Sequence, residues 1–202
     1  MKNSKSLLLA ALFLGLTSNA AMAEEGKVYA AIDVGQGNVP SACEGLPATM
    51  SCNTTTTAYR VGMGYQVSKD VGFEAAYLDG GKVNASGTYL GVPVTAYATL
   101  TGFQLSVIGA LPVTSGVAIL GKVGVASVDG KASATATSGG SSFTSSSSQG
   151  NTNLTYGLGV RFAANDKIAI RMMYENLGTV KTSSTGSGSS VTLLSAGLQV
   201  GF

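Results

Sequence analysis

The chain contains neither histidine nor tryptophan. Without an imidazole it lacks the usual base for activating a serine or cysteine nucleophile, and a common metal ligand. Charge is scarce as well: Asp, Glu, Lys and Arg make up 11% of the residues, less than half the roughly 25% of a soluble domain. The 12 basic and 10 acidic residues nearly cancel, so nothing here suggests a basic patch for nucleic acid. There are four prolines, all expected outside strands, where a missing N–H costs no ladder bond. Long apolar runs are missing too. The nearest approach to a spanning helix, residues 106–126, is interrupted by Pro112, the Thr114-Ser115-Gly116 turn and Lys122.

Cysteine is limited to Cys43 and Cys52. They are too far apart for a Cys-x-x-Cys redox pair, and two cysteines without histidine make a poor metal site. In an oxidising compartment they are expected to form one disulfide that pins a loop.

What is present begins with an export signal. Lys2 and Lys5 precede a short apolar run at 7–16, and Ala21-Met22-Ala23 supplies small residues for cleavage. The reading is a signal peptide over 1–23 and one mature domain over 24–202. An exported, charge-poor chain without a spanning helix points to a closed β-barrel, the other structure that satisfies every backbone group inside lipid.

The mature sequence divides into eight segments of period-two alternation, at 27–35, 58–67, 71–78, 96–111, 117–127, 154–162, 168–175 and 194–202. In the first, Val28, Ala30, Ile32 and Val34 share a face. In the last, Leu194, Ala196, Leu198, Val200 and Phe202 do. With each frame set by apolar residues alone, Asp33, Arg60, Glu74, Lys122, Arg161, Arg171 and Glu175 all fall on the opposite face. One face avoids charge entirely, which predicts an all-β, eight-stranded, antiparallel up-and-down transmembrane barrel with its charges inside. Eight strands leave a lumen just wide enough for side chains, so the seven charges are expected to pair structurally across it.

Connections alternate in length. Those at 68–70, 112–116 and 163–167 are short, and those at 36–57, 79–95, 129–153 and 176–190 are long. Short periplasmic turns and long extracellular loops fit that asymmetry, with both termini periplasmic. The Ser/Thr-rich stretches 131–152 and 182–190 read as mobile loops. Tyr59, Tyr77, Tyr97, Tyr156 and Tyr174 are expected in a belt at the long-loop end, and Tyr65, Phe73, Phe162 and Phe202 in one at the turn end.

Apolar alternation through Leu194, Leu198 and Val200 to a terminal Phe202 resembles the recognition signal that outer-membrane proteins present to the barrel-assembly machinery. Together with the signal peptide and the strand count, the chain resembles the OmpA-like and OmpX-type family of small eight-stranded barrels. Gly62-Met63-Gly64-Tyr65-Gln66-Val67, a polar turn and Gly72-Phe73-Glu74 resemble that family's second hairpin. The resemblance covers 24–202 as a pattern. It implies a charged interior network, and outer-membrane lipid and lipopolysaccharide as surroundings. Larger members carry a peptidoglycan-binding domain after the barrel, a function not carried over to this chain.

No motif identifies an enzyme, a cofactor or a metal. Glu74 and Glu175 could be an acid–base pair, but interior pairing with the cations is the simpler reading. The Gly-x-Gly occurrences open no helix and are not nucleotide loops. The expected function is a non-enzymatic surface scaffold whose loops mediate adhesion, host interaction or envelope integrity. The alternative is a minor small-solute channel.

Overall fold

A computed structural model describes residues 26–43, 46–181 and 188–202. The expected export signal at 1–23 lies outside the described residues, as does most of the 182–190 stretch. The described chain forms β1 (Lys27–Asn38), a single 3-10 turn (Pro40–Cys43), β2 (Met50–Cys52), β3 (Thr55–Gln66), β4 (Val71–Tyr89), β5 (Val92–Thr114), β6 (Val117–Ser138), β7 (Ser141–Ala163), β8 (Ile168–Val180) and β9 (Ser189–Gly201). All pairings are antiparallel, and the sheet closes through β4 and β5 into a ring of eight strands. The short β2 is appended to β4 at Ala85–Gly87, above the point where β3 has ended.

The outward face carries the large apolar side chains. Ile32, Phe103, Leu105, Leu154 and Leu158 are each at least 60% exposed. Water does not tolerate a continuous apolar belt of this kind around a whole molecule, whereas a bilayer requires one. The belt ends at two charged rows set by the ladder. Asp79 and Asp129 flank Thr101, and one step further Lys82 and Lys131 flank Thr99. Tyr77, Tyr156 and Tyr174 are exposed below these rows, and Tyr59 is exposed level with the first of them, opposite Asp79. Tyr97, expected with them, stands beyond the rows, opposite Asn84 and Ser133, and its ring carries the Lys82 ammonium at 3.9 Å.

Two of the expected long loops are strands instead. β4 and β5 continue to a two-residue turn at Leu90-Gly91, and β6 and β7 to one at Gly139-Gly140. All four turn residues have positive φ, the backbone form that matches the twist of a tight hairpin. β5 and β7 thus run to 23 residues each, about 75 Å of strand, against the nine to eleven residues a bilayer needs. Ala132, Ala134 and Ala136 alternate with Ser133, Thr135 and Thr137 along β6. The Thr135–Thr144 and Thr137–Ser142 hydroxyl pairs, at 2.9 and 3.2 Å, tie this arm to β7.

Two prolines lie in a strand rather than outside one. Pro93 and Pro112 belong to β5. Each stands where β5 has one neighbour: the β6 ladder starts only at Val94, and the β4 ladder reaches no further than Gly109. A missing N–H therefore breaks no bond on the open side.

The interior is layered. At the long-hairpin end an apolar cluster holds Leu78, Val128, Leu177, Val180, Val191 and Leu193. Towards the short turns a second holds Ile108, Ala110, Ala118, Leu120 and Met173. Charge lies between them.

Candidate functional site

Asp33, Arg60, Glu74, Lys122, Arg171 and Glu175 come from β1, β3, β4, β6 and β8, at inward positions fixed by strand parity. None is more than 4% exposed. Arg60 Nε donates to Asp33 Oδ2 at 2.9 Å, and its Nη1 to Glu175 Oε2. Lys122 Nζ lies 3.0 Å from Glu175 Oε1 and donates to Glu74 Oε1 at 3.1 Å. Arg171 Nη1 donates to Glu74 Oε2, while its Nε and Nη2 donate to Asp33 at 2.8 and 2.6 Å. Read around the lumen, these contacts form a closed ring of alternating sign: Asp33, Arg60, Glu175, Lys122, Glu74, Arg171 and back to Asp33. Three carboxylates face three cations, so the layer is neutral.

The remaining strands make room for the ring or satisfy its donors. Gln104 of β5 accepts from Lys122 at 2.9 Å and donates to Thr155 of β7 at 3.0 Å. Tyr29 donates to Glu74 at 3.3 Å. β9 contributes Gly197, where a Cβ would overlap Asp33. Charges out of water need such partners, and the ring is satisfied except at Arg60 Nη2, which is buried without a hydrogen bond among the described residues. Sequence parity does not show Gln104 and Thr155 as members, because neutral residues on an inward face carry no sign to follow.

Arg161 does not join. It is half-buried near the short turns, directly opposite Arg171 on β8, and makes no ion pair among the described residues. The Cys43–Cys52 disulfide is present, with Cα atoms 5.8 Å apart, and ties the 3-10 turn to β2. Leu194, Leu198 and Val200 point outward. Phe202 closes the β1 edge through a backbone bond to Val28 at 3.0 Å.

What the arrangement can do chemically is limited by its closure. Each carboxylate is shared between two cations, leaving none positioned as a free acid or base. The open surface is at the long-hairpin end, where β4 to β7 project beyond the charged rows.

Comparison with known proteins agrees with this architecture. The sequence profile of the OmpA-like transmembrane domain matches residues 23–202. Among solved structures, Ail, the attachment invasion locus protein of Yersinia pestis, is similar with a TM-score of 0.56 at 18% identity, covering 88% of this chain and 99% of that one. The same protein in complex with the heparin analogue sucrose octasulfate gives 0.52 at 17%, covering 88% and 99%. Neisserial surface protein A gives 0.53 at 20%, covering 88% and 100%. No sequence among curated proteins matches. The neighbours are outer-membrane barrels, and the chain belongs to the family of OmpA-like transmembrane domains.

Proposed function

We propose that this outer-membrane barrel is a sealed, non-enzymatic scaffold that holds a rigid sheet outside the cell for adhesion, host interaction or envelope integrity. The observation that carries this reading is the six-membered ionic ring. A layer that joins β1, β3, β4, β6 and β8 through the lumen, with apolar clusters on both sides, supports an interior filled by side chains and closed to solutes. Partner contact then falls to the projecting hairpins.

In this reading residues 1–23 direct export, both termini and the short turns are periplasmic, and the hairpins are extracellular. The apolar belt meets lipid, with lipopolysaccharide in the outer leaflet. Leu194, Leu198, Val200 and Phe202 serve the barrel-assembly machinery during insertion. The Ail structure with a heparin analogue makes a polyanion one conceivable partner class. The described projecting part carries Lys82, Lys131 and Lys181 against Asp79 and Asp129, which is close to balance. Hydroxyl-rich faces such as those of β6 and β7 favour hydrogen-bonded, weakly charged partners instead.

The test compares cells displaying the full chain with cells displaying a variant in which residues 132–147 are replaced by an Asn-Gly turn, which keeps Lys131 opposite Ser148. Adherence to epithelial monolayers and matrix-coated plates should fall, while the heat-dependent gel mobility of the barrel is retained. Unchanged adherence, together with steady planar-bilayer conductance that changes in Glu74→Gln, overturns the scaffold reading in favour of the channel.

A further inference from the structure

Above the ionic ring, the long-hairpin end surrounds a half-open cavity of about 430 Å³. No Asp, Glu, Lys or Arg lines it. Its floor is the apolar cluster, through Leu78, Leu100, Leu177 and Leu193. One wall comes from the disulfide-tied segment, through Val39 and Leu46. The opposite wall is built by the inward faces of the projecting arms, through Ala96, Ala98, Ala132 and Ala134.

These arms lie beyond the membrane belt, where an inner face could be as polar as an outer one. β5 instead places Val94, Ala96, Ala98 and Leu100 inward, and Thr95, Tyr97, Thr99 and Thr101 outward. β6 repeats the choice with alanine inward and serine or threonine outward. The sequence therefore gives the β5 and β6 walls small apolar residues that leave the chamber open, while β7 adds Ser145. Leucine at any of the four alanine positions would reduce it. Thr56, Asn84, Ser189 and Thr192 also line it, so hydrogen-bonding groups stand beside the apolar floor and suit an occupant with both kinds of surface. The volume is roughly three times the ~150 Å³ of an apolar cavity that takes up benzene, and it falls in the range of ligand pockets.

We propose that this chamber binds the aliphatic chain of an uncharged or weakly polar amphiphile. The chain lies against the leucine floor and the alanine wall, and the polar end meets the exposed Ser145 hydroxyl opposite Ala134, which also lines the cavity. The ionic ring beneath stops the ligand from passing through, so this is a receptor site and not a conduit. The inference goes beyond the scaffold reading and does not depend on which partner the hairpins meet.

The test places the refolded barrel, with methyl-labelled alanine and leucine, in lipid nanodiscs and titrates it with 1-decanol. Ala98, Leu100 and Ala132 methyls should shift saturably, while the lipid-facing Ala75 and Ala196 drift in proportion to dose. Ala98→Leu and Ala132→Leu should each weaken binding at least tenfold, with heat-dependent gel mobility showing that both variants fold. Nuclear Overhauser contacts to these methyls from protonated but not deuterated lipid would identify the surrounding membrane as the source of the chain. Saturable shifts only on titration would identify an outside source. The proposal is overturned if neither contacts nor saturable shifts reach the cavity methyls, or if both leucine variants bind as the parent does.

Discussion

Each member of the ionic ring depends on its two neighbours, which makes single replacements costly. Arg171 supplies three of the ring's hydrogen bonds, two to Asp33 and one to Glu74. Arg171→Met keeps most of the volume but leaves three carboxylates facing two cations in a water-poor layer. Breaking a buried pair from one side costs about 3–5 kcal/mol. Urea unfolding from lipid vesicles should show that loss as a lower midpoint with an unchanged slope. Adding Glu74→Gln restores neutrality and should recover about 1–3 kcal/mol, the coupling expected between residues in one network. A double variant no better than the single would assign the damage to packing. Gly64 shows the other kind of dependence. The Tyr29 ring lies over it from the neighbouring strand, so a Cβ there would overlap that ring and displace the hydroxyl that donates to Glu74. Gly64→Ala is expected to cost about 1–3 kcal/mol as overpacking, read in the same titration.

The strands themselves were legible wherever large side chains marked the period. Ile32, Val61, Leu105 and Leu198 set frames that the ladder keeps, and the inward parity of all six ring residues followed from those frames. Which charges pair did not follow, because partners such as Arg171 and Asp33 meet only through the tilt and closure of the barrel. The projecting arms were obscured for a different reason. In β6, Ala132, Ala134 and Ala136 alternate with hydroxyl residues as regularly as valine would, and Gly139-Gly140 supplies the hairpin turn. Their composition, however, is that of a flexible linker. Pairing overrides that propensity, since β6 is laddered to β5 as far as Ala136 and to β7 as far as Ser138. The height of the membrane belt is testable from these registers. Ile32 sits between Val61 and Leu198 at mid-belt, whereas Thr101 sits in the nearer charged row between Asp79 and Asp129. Ile32→Arg should cost about 2–4 kcal/mol in vesicle unfolding and Thr101→Arg about 0–1. Equal penalties would mean that the charged rows do not mark the edge of the hydrocarbon.

For the molecule as a whole, stability and assembly separate. The closed ladder, the ionic ring and two apolar clusters hold the finished barrel together, and none of them uses the Phe202 side chain. That residue joins the fold through its backbone, by donating to Val28, beside a Gly201 bond to Lys167 at 2.8 Å. The proposed recognition by the assembly machinery therefore predicts that its ring matters more for insertion than for the folded state. Phe202→Ala preserves the backbone bond and removes only the ring. Refolding from urea into vesicles should give the same midpoint as the parent within about 0.5 kcal/mol, the range of a substitution away from core contacts. In cells, the fraction of chain that reaches the heat-modifiable outer-membrane form should fall several-fold, with the remainder unfolded in the periplasm. A parallel loss in both settings would make the terminal ring a structural element of the barrel. Normal assembly in cells would remove Leu194, Leu198, Val200 and Phe202 from the role of recognition signal, and β9 would then close the barrel by its ladder alone.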